Sequence, residues 1–355
     1  MTMEDFQKNR VRGSLVGGAV GDASGYAVEF TFSYDEIVRY YGPDGITRFD
    51  LNNPRALGII SDDTQMTLFT ACGLLNAKAM GKAPVPSVAW AYIEWYNTQM
   101  GFRSKRLRDC WVGDLPEMNV QRSPGHTCKD AMKTIQAGRE VYNEKKGCGG
   151  VMRVAPVALY GLSQGRIKDV FVLDEMAADI AEITHKHPLG YIPAYIQSHM
   201  VYRLATDENP SRESFRSYLD EAVTGMKAKY GEKPSYVVYM QTLLDKALML
   251  AEDNLPDHKA IEELGEGWVA EETLAIAVYC AYKYIGDFEK AVVAAVNHGG
   301  DSDSTGSLTG NLVGAALGYD AIPEHYKTKL ELHDVILHVA DDLYRGYTTR
   351  YEPKQ

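Results

Sequence analysis

The sequence predicts an all-α protein that folds as a single compact multi-helix domain over residues 1–355. Most of the chain carries apolar residues at the three- and four-residue spacing of helices, whereas alternating strand patterns are scarce. No Pro/Ser-rich linker or low-complexity tract divides it. Its two most distinctive acidic motifs lie in the first and last thirds of the chain, so a site that they share favours one domain over two.

The predicted helices follow this periodicity in chain order. They span residues 11–20, 65–80, 87–100, 127–140, 171–185, 192–205, 211–229, 235–252, 271–286, 288–296, 304–318 and 327–345. The stretches 42–60 and 101–126 are richest in turn-forming residues, and we expect them to be loops over a site or at its rim. The dense basic run Arg103, Lys105, Arg106 and Arg108 is interpreted as a solvated helix face, with a phosphate contact as the alternative.

Composition narrows the functional class. The chain is 45% hydrophobic and 24% charged, which is typical of a globular protein. Its formal charge of −11 disfavours nonspecific binding to nucleic acid or to an anionic membrane. No apolar run is long enough to span a membrane, and the start is polar and acidic, so a cytoplasmic location is expected. The five cysteines are odd in number and form no CxxC pair, so neither a disulfide framework nor a thiolate zinc site is predicted.

Glycine recurs at every fourth position in two segments, as Gly13, Gly17, Gly21 and Gly25 and again as Gly306, Gly310, Gly314 and Gly318. Residues four apart share a helix face. An interior glycine costs roughly 0.8–1 kcal/mol relative to alanine, and close backbone approach is the expected offset. We therefore predict two tightly packed glycine-faced helices, with each other as the first candidate partner. Their pairing would carry Asp22 and Glu29 toward Asp301 and Asp303; the alternative is that the glycines mark loops.

Residues 297–305, NHGGDSDST, place two carboxylates and three hydroxyls around a glycine-rich turn. Ser61-Asp62-Asp63-Thr64 repeats this chemistry at a second apparent helix start. Each cluster alone could be an ordinary helix N-cap. Four converging aspartates, however, would repel by roughly 4 kcal/mol per pair about 4 Å apart at an effective dielectric of 20. A divalent metal would compensate for that repulsion, and hard cations bind such oxygen sets.

Five blocks, in chain order, resemble the signature blocks of the ADP-ribosylglycohydrolase family: GAVGDASGYAVEF, SDDTQM, GCGGVMRVAP, THKHPLGY and NHGGDSDSTG. The resemblance covers roughly residues 11–319, and five ordered blocks are far more specific than any one of them. It implies a compact all-α fold that removes ADP-ribose from modified acceptors. It also implies a cofactor of two divalent metal ions, Mg²⁺ or Mn²⁺.

Matched by position, the resemblance implies that the metals are ligated by Ser61, Asp62, Asp63, Asp301, Asp303 and Ser304. Glu29 matches a mobile glutamate that reaches the metals. A carboxylate near the glycosidic carbon could stabilise charge or relay a proton. Glu29, Asp62 and Asp303 are the candidates for that catalytic role, and the sequence does not rank them.

The same resemblance assigns the contacts to ADP-ribose. In the family, the amides of one loop approach the diphosphate. The residues of this chain that match that loop are Cys148, Gly149, Gly150, Val151 and Met152. His185 matches a histidine that lines the ADP-ribose cleft. His187 and His298 are expected to be packed or solvent-facing.

Two departures from the family pattern concern metal affinity and the acceptor. Serine stands at positions 61 and 304, where threonine is usual, so the oxygen is kept and a rotamer-stiffening methyl is lost. In arginine-directed members an aspartate precedes the glycine of the loop that corresponds to Arg122-Ser123-Pro124-Gly125, and no carboxylate stands there in this chain.

The expected function is metal-dependent hydrolysis of the bond between ADP-ribose and a modified acceptor, with protein ADP-ribosyl-arginine as the first candidate. Serine-linked or small-molecule ADP-ribose conjugates are the nearest alternatives, and a noncatalytic ADP-ribose-binding relative is a different class. Retention of all the candidate acidic ligands favours the enzyme. We expect a monomer that acts on an ADP-ribosylated protein or conjugate, without a nucleic-acid or membrane partner.

Overall fold

The computed structural model describes residues 2–102, 109–163, 167 and 169–352, and within these ranges the chain forms sixteen α-helices and no strand. The helices are α1 (Met3–Gly25), α2 (Tyr34–Tyr41), α3 (Asp62–Ala79), α4 (Pro84–Gln99), α5 (His126–Gln136), α6 (Ala155–Gly161), α7 (Val170–Glu182), α8 (Pro188–Thr206), α9 (Arg212–Tyr230), α10 (Pro234–Glu252), α11 (Asp257–Glu262), α12 (Ala270–Lys283), α13 (Phe288–Val296), α14 (Ser302–Leu317), α15 (Glu324–Lys327) and α16 (His333–Arg345). The predicted all-α class is therefore confirmed.

Polar caps and first-turn prolines fix where several helices begin. The Thr2 side chain accepts a hydrogen bond from the N–H of Asp5 and the Asp5 carboxylate accepts one in return, so α1 begins well before the predicted residue 11. The Ser61 side chain caps α3 by accepting from the N–H of Asp63, and a proline occupies the first turn of both α4 and α8. These local signals account for helix starts that apolar periodicity placed too late.

The single helix predicted over residues 327–345 is wrong. Leu332 has a φ of +58°, a left-handed conformation that interrupts a helix, so α15 and α16 are separate. The helices α2, α6 and α11 were not predicted because each is too short to show a clear apolar period. The basic run at residues 103–108 lies outside the described residues.

The two glycine-faced helices pack against each other, as predicted. A Cβ placed on Gly13, Gly17 or Gly21 would overlap the backbone carbonyl of its partner across the contact. Those partners are Gly314, Gly310 and Gly306, so the numbering rises along α1 while it falls along α14 and the helices run antiparallel. As a result, the C-terminal end of α1 lies beside the N-terminal end of α14.

The remaining helices enclose this pair in one continuous core. The buried faces of α8 and α12 contact α14, and α3 packs on α4 and contacts α1. The buried Gln197 within α8 donates to the carbonyl of Leu308 and so links this helix to α14. No described helix combines the length and apolar character that a bilayer crossing needs.

Candidate active site

Asp22 fixes the start of α3 against the end of α1. Its carboxylate accepts hydrogen bonds from the backbone N–H groups of Ser61 (3.0 and 3.1 Å) and Thr64 (3.1 Å), and also from the Thr64 hydroxyl. All three residues are buried. The two acidic motifs consequently meet at one place, with α3 and α14 both beginning beside the C-terminal end of α1.

Carboxylates from three remote segments converge at this point. Glu29, which follows α1, lies with Asp301 and Asp303 so that one oxygen of each falls within 4.8 Å of the others. Asp62 and Asp63 occupy the first turn of α3 and interact electrostatically with Asp303. The structure thus brings together all five carboxylates of the predicted site, and all five are buried.

Burial and mutual repulsion perturb every one of these acids. Burial, followed by the charge of Asp303, raises the pKa of Glu29 to about 9 and that of Asp22 to about 7. Burial is also the main cause that raises the pKa values of Asp62, Asp63, Asp301 and Asp303. Without a compensating cation the cluster therefore holds protons that isolated carboxyl groups would release.

Three oxygen atoms in the cluster have no hydrogen-bond partner among the described residues. They are Glu29 Oε2, Asp63 Oδ2 and Asp301 Oδ2, each buried. A buried polar atom that lacks a partner costs free energy, so native proteins rarely keep several together. Oxygen atoms from carboxylates are the ligands that Mg²⁺ and Mn²⁺ prefer. The residues therefore fit the divalent metals that the sequence led us to expect.

The two predicted serine ligands lie at the edge of the cluster. The Ser61 hydroxyl accepts from the N–H of Asp63 (3.1 Å) and also interacts with the Asp303 carboxylate. Ser304 donates its backbone N–H to Asp303 Oδ1 (2.9 Å). Both side chains are buried, so each keeps a hydroxyl oxygen next to the carboxylates.

A cavity of about 450 Å³ opens beside the carboxylates. Its lining includes the predicted site residues Glu29, Asp62, Asp63, Cys148, Gly149, Met152, His185, Asp301, Asp303 and Ser304. Ser61, Gly150 and Val151 are buried behind this surface. The loop segment 109–126 contributes Ser123, Pro124 and Gly125 to the rim, whereas segment 42–60 does not reach this cavity.

The glycine-rich turn, Cys148–Gly150, forms one wall of the cavity. No hydrogen bond joins the N–H group of Gly149, which lines the cavity, to another described residue, so this donor is available to a ligand. A side chain at Gly149 would approach within 3.1 Å of the His185 ring. The Cys148 thiol interacts with Asp301 and Ser304, and burial raises its pKa.

Of the three histidines singled out from the sequence, His185 lines the cavity. Burial and the charge of Arg153 lower the pKa of His185 to about 3, so the ring is neutral. His298 is packed in the core, where its Nε2 lies 3.0 Å from the Thr305 hydroxyl. His187 caps α8 by accepting from the N–H of Leu189.

Several residues at the cavity were not identified from the sequence. Phe30 and Trp268 stack with ring centroids 6.4 Å apart, and both line the cavity, as do His126 and Lys129. Single aromatic or basic residues give no spacing signal, so only the three-dimensional arrangement identifies them. Arg153 did carry a signal, since it is a charged residue within the apolar run VMRVAPVAL.

Comparison with known proteins gives a consistent result. The family model described as ADP-ribosylglycohydrolase matches residues 3–353. The human protein ADP-ribosylhydrolase ARH3 is 25% identical over 378 residues, which cover 96% of this chain and 94% of the human protein. The ADP-ribosyl-[dinitrogen reductase] glycohydrolase of Rhodospirillum rubrum is 26% identical over 336 residues, or 91% of each chain.

A solved structure shows the same fold. The ADP-ribosylglycohydrolase-related protein complex contains a chain that superposes with a TM-score of 0.65 and is 23% identical. The match covers 97% of this chain and 100% of that chain. At this level of identity the likeness concerns the fold alone.

Proposed function

Because the chain belongs to the ADP-ribosylglycohydrolase family, we propose that residues 1–355 act as one unit that hydrolyses the bond between ADP-ribose and a modified acceptor. The observation that carries this proposal is the convergence of five buried carboxylates, with three unpartnered oxygens, on a cavity walled by a glycine-rich turn. A module that only bound ADP-ribose would have no evident need for such a costly acidic cluster.

The acidic residues are proposed to hold two divalent metal ions, Mg²⁺ or Mn²⁺. The ligands would come from Ser61, Asp62, Asp63, Asp301, Asp303 and Ser304, and the unpartnered Oε2 of Glu29 suits the same role. When bound, such ions supply Lewis acidity and orient the oxygen atoms that they ligate. The chain's own contribution is to prearrange the oxygens on two helix starts.

Glu29 is the best-placed carboxyl group for proton transfer. Asp62 Oδ2 accepts from the N–H of Gly125 (3.1 Å), and Asp303 accepts from Ser304 and Ser61. Glu29 Oε2, in contrast, has no described partner and its side chain lines the cavity. We therefore propose that Glu29 takes or gives the proton, while Asp62 and Asp303 stabilise the positive charge that develops at the anomeric carbon.

The wall formed by the glycine-rich turn is proposed to hold the ADP-ribose. The free N–H group of Gly149 suits a diphosphate oxygen, because backbone donors in a glycine-rich turn form an anion-binding concavity. Val151 and Met152 complete the turn, and the His185 ring lies against it. This arrangement would leave the acceptor at the rim formed by residues 123–129.

Arginine is the first candidate acceptor, since a cationic guanidinium group suits a cavity lined by carboxylates. One observation favours a second candidate. The rim carries Ser123, His126 and Lys129, with no carboxylate where arginine-directed members have one, and the Lys129 ammonium would repel a guanidinium group. Serine-linked ADP-ribose, whose acceptor is neutral, meets no such repulsion.

The test is release of ADP-ribose from arginine-modified and from serine-modified proteins, with Mg²⁺, with Mn²⁺ and with a chelator. We expect metal-dependent release from at least one of the two substrates and its loss in Asp303→Ala. The matched control is Asp334→Ala, because the Asp334 side chain is exposed and remote from the cavity. Release that continues undiminished in chelator, or no release from any modified protein, would contradict the proposal.

A further inference from the structure

Arg153 is a fully buried cation that forms no ion pair with a described carboxylate. Burying an unpaired guanidinium group is costly, so its position calls for an explanation. The Tyr92 ring lies 4.2 Å from the guanidinium carbon and supplies part of the compensation. Arg153 Nη2 also donates to the Thr184 hydroxyl oxygen at 2.7 Å.

Thr184 links Arg153 to the histidine of the cavity. Its hydroxyl oxygen lies 2.8 Å from His185 Nδ1, and both side chains are buried. Asn143 fixes this segment by donating to the carbonyl of Thr184 (2.9 Å) and accepting from the N–H of Lys186 (3.1 Å). The three side chains Arg153, Thr184 and His185, here called the tautomer relay, therefore form a continuous hydrogen-bonded chain.

The direction of hydrogen bonding along the relay follows from the donors available. A guanidinium group only donates, so Thr184 accepts from Arg153 and has its own hydrogen to give. Two other acceptors lie near this hydroxyl. The carbonyl of Ala181 is farther away at 3.4 Å and already accepts from the N–H groups of Thr184 and His185. The sulfur of Cys128 also interacts with the hydroxyl, but sulfur is a weak acceptor beside an imidazole nitrogen. The hydroxyl hydrogen thus goes to His185 Nδ1.

A neutral imidazole that accepts at Nδ1 carries its proton on Nε2. This Nε2 faces the glycine-rich turn, because a Cβ on Gly147 or Gly149 would lie 3.5 Å from it. No hydrogen bond joins Nε2 to a described residue, and His185 lines the cavity. The ring therefore directs an unused N–H donor toward the space beside the free amide of Gly149.

We propose that Arg153 and Thr184 are positioning residues that hold His185 as the Nε2–H tautomer, so that the cavity presents a neutral donor to an oxygen of the ADP-ribose. The identity of the ligand rests on the proposed function; the tautomer does not. Burial, and after it the charge of Arg153, lowers the pKa of His185 and so keeps the ring neutral, as this arrangement requires.

The experiment is ¹⁵N NMR of the full-length protein labelled at histidine, with the His185 signals assigned by their loss in His185→Gln. In the wild type we expect the unprotonated nitrogen to be Nδ1. In Thr184→Val the hydroxyl is lost at nearly constant volume, and we expect a mixed or reversed tautomer. Thr184→Ser keeps the hydroxyl and should restore the wild-type signals.

Calorimetric titration with ADP-ribose in Mg²⁺ provides the second measurement. Thr184→Val should weaken binding roughly three- to tenfold, as expected for the loss of one hydrogen bond, and Thr184→Ser should recover it. The matched control is Thr309→Val, because the buried Thr309 hydroxyl donates only to the carbonyl of Thr305. That variant should change neither the tautomer nor the affinity.

The outcomes separate the relay from the proposed function. A wild-type His185 that carries its proton on Nδ1 would overturn the relay, as would a Thr184→Val protein with unchanged tautomer and unchanged affinity. If the wild type shows the expected tautomer but does not bind ADP-ribose, the proposed function fails and the assignment of the ligand fails with it. The wild-type tautomer is read from the wild-type protein, and His185→Gln is needed only to assign the signals.

Discussion

The Asp22 carboxylate receives the backbone N–H of Ser61 on both of its oxygens, at 3.0 and 3.1 Å. This contact joins the end of α1 to the start of α3, and it makes Asp22 a structural acid beside the proposed metal ligands. A residue of this kind controls where Asp62 and Asp63 point without itself lining the cavity.

Asp22→Ala should therefore destabilise the metal-loaded protein. The substitution leaves the buried N–H groups of Ser61 and Thr64 without an acceptor, and each such loss costs about 1–3 kcal/mol. We expect the free energy of unfolding in saturating Mn²⁺ to fall by roughly 2–4 kcal/mol, measured by urea denaturation. Asp334→Ala, at an exposed position, should change it little. Equal stabilities of the two variants would refute this role for Asp22.

Gly310→Ala should disrupt the contact between α1 and α14. The added methyl would overlap the carbonyl of Gly17, and backbone atoms cannot rotate away as a side chain can. Overpacking of this kind costs about 1–3 kcal/mol or more, and we expect the upper part of that range. Gly286→Ala is the matched control, because its added methyl meets no atom within 4 Å. Circular dichroism during thermal unfolding compares the stabilities of the two variants. If Gly310→Ala loses no more stability than the control, the contact tolerates a side chain.

Removal of metal should lower the unfolding temperature. A ligand that binds only the folded state stabilises it by about 2.7 kcal/mol at a hundredfold excess over its dissociation constant. We expect differential scanning fluorimetry to show that Mg²⁺ or Mn²⁺ raises the unfolding temperature and that chelator reverses this rise. In Asp301→Asn the rise should be much smaller. Asp301 is the informative position, since its Oδ2 has no described partner in the protein. An identical unfolding temperature with chelator and with either metal would argue against a site at this cluster.

The metal-free protein should become less stable as the pH rises from 6.5 to 9. The folded pKa of Asp22, about 7, and that of Glu29, about 9, lie above their ordinary values, so the stability that these protonated groups contribute is lost as the pH passes through 7 to 9. The lowered pKa values of His185 and His298 make the stability rise with pH instead, but only below about pH 6.5.

Urea denaturation in chelator at several pH values measures this dependence. Glu29→Gln should show a smaller loss of stability over the same range, because the amide does not titrate. Saturating Mn²⁺ should also reduce the loss, since a bound cation favours the ionised carboxylates. Stability of the metal-free wild type that stays constant or rises between pH 6.5 and 9 would contradict the raised pKa values.

The pairing of α1 with α14 was predictable because its signal is periodic. Glycine at every fourth position is unfavourable in an isolated helix, and the structure shows the close backbone approach that offsets this cost. The pairing of the two helices also predicted that Glu29 would lie near Asp301 and Asp303, and the structure confirms this. The interruption at Leu332 was missed, because a leucine in the left-handed region gives no local warning.

The site was predictable where residue type alone limits the chemistry. Carboxylates and serines at two helix starts indicated a cation site, and the structure places them together. The rim and the tautomer relay were not predictable, since Thr184 and Trp268 are common residues whose importance depends on neighbours distant in the sequence. The roles of Glu29, Asp62 and Asp303 remain predictions for the experiments above.

The interlocked glycine backbones also determine when this protein becomes competent. Until the segment that forms α14 has been synthesised, α1 has no partner for its glycine face, and Glu29 faces none of the acids from that later segment. Pairing segments so far apart requires the closure of a very long loop, which costs conformational entropy. A chain that ends before α14 lacks Asp303 and Ser304 and therefore cannot assemble the proposed site.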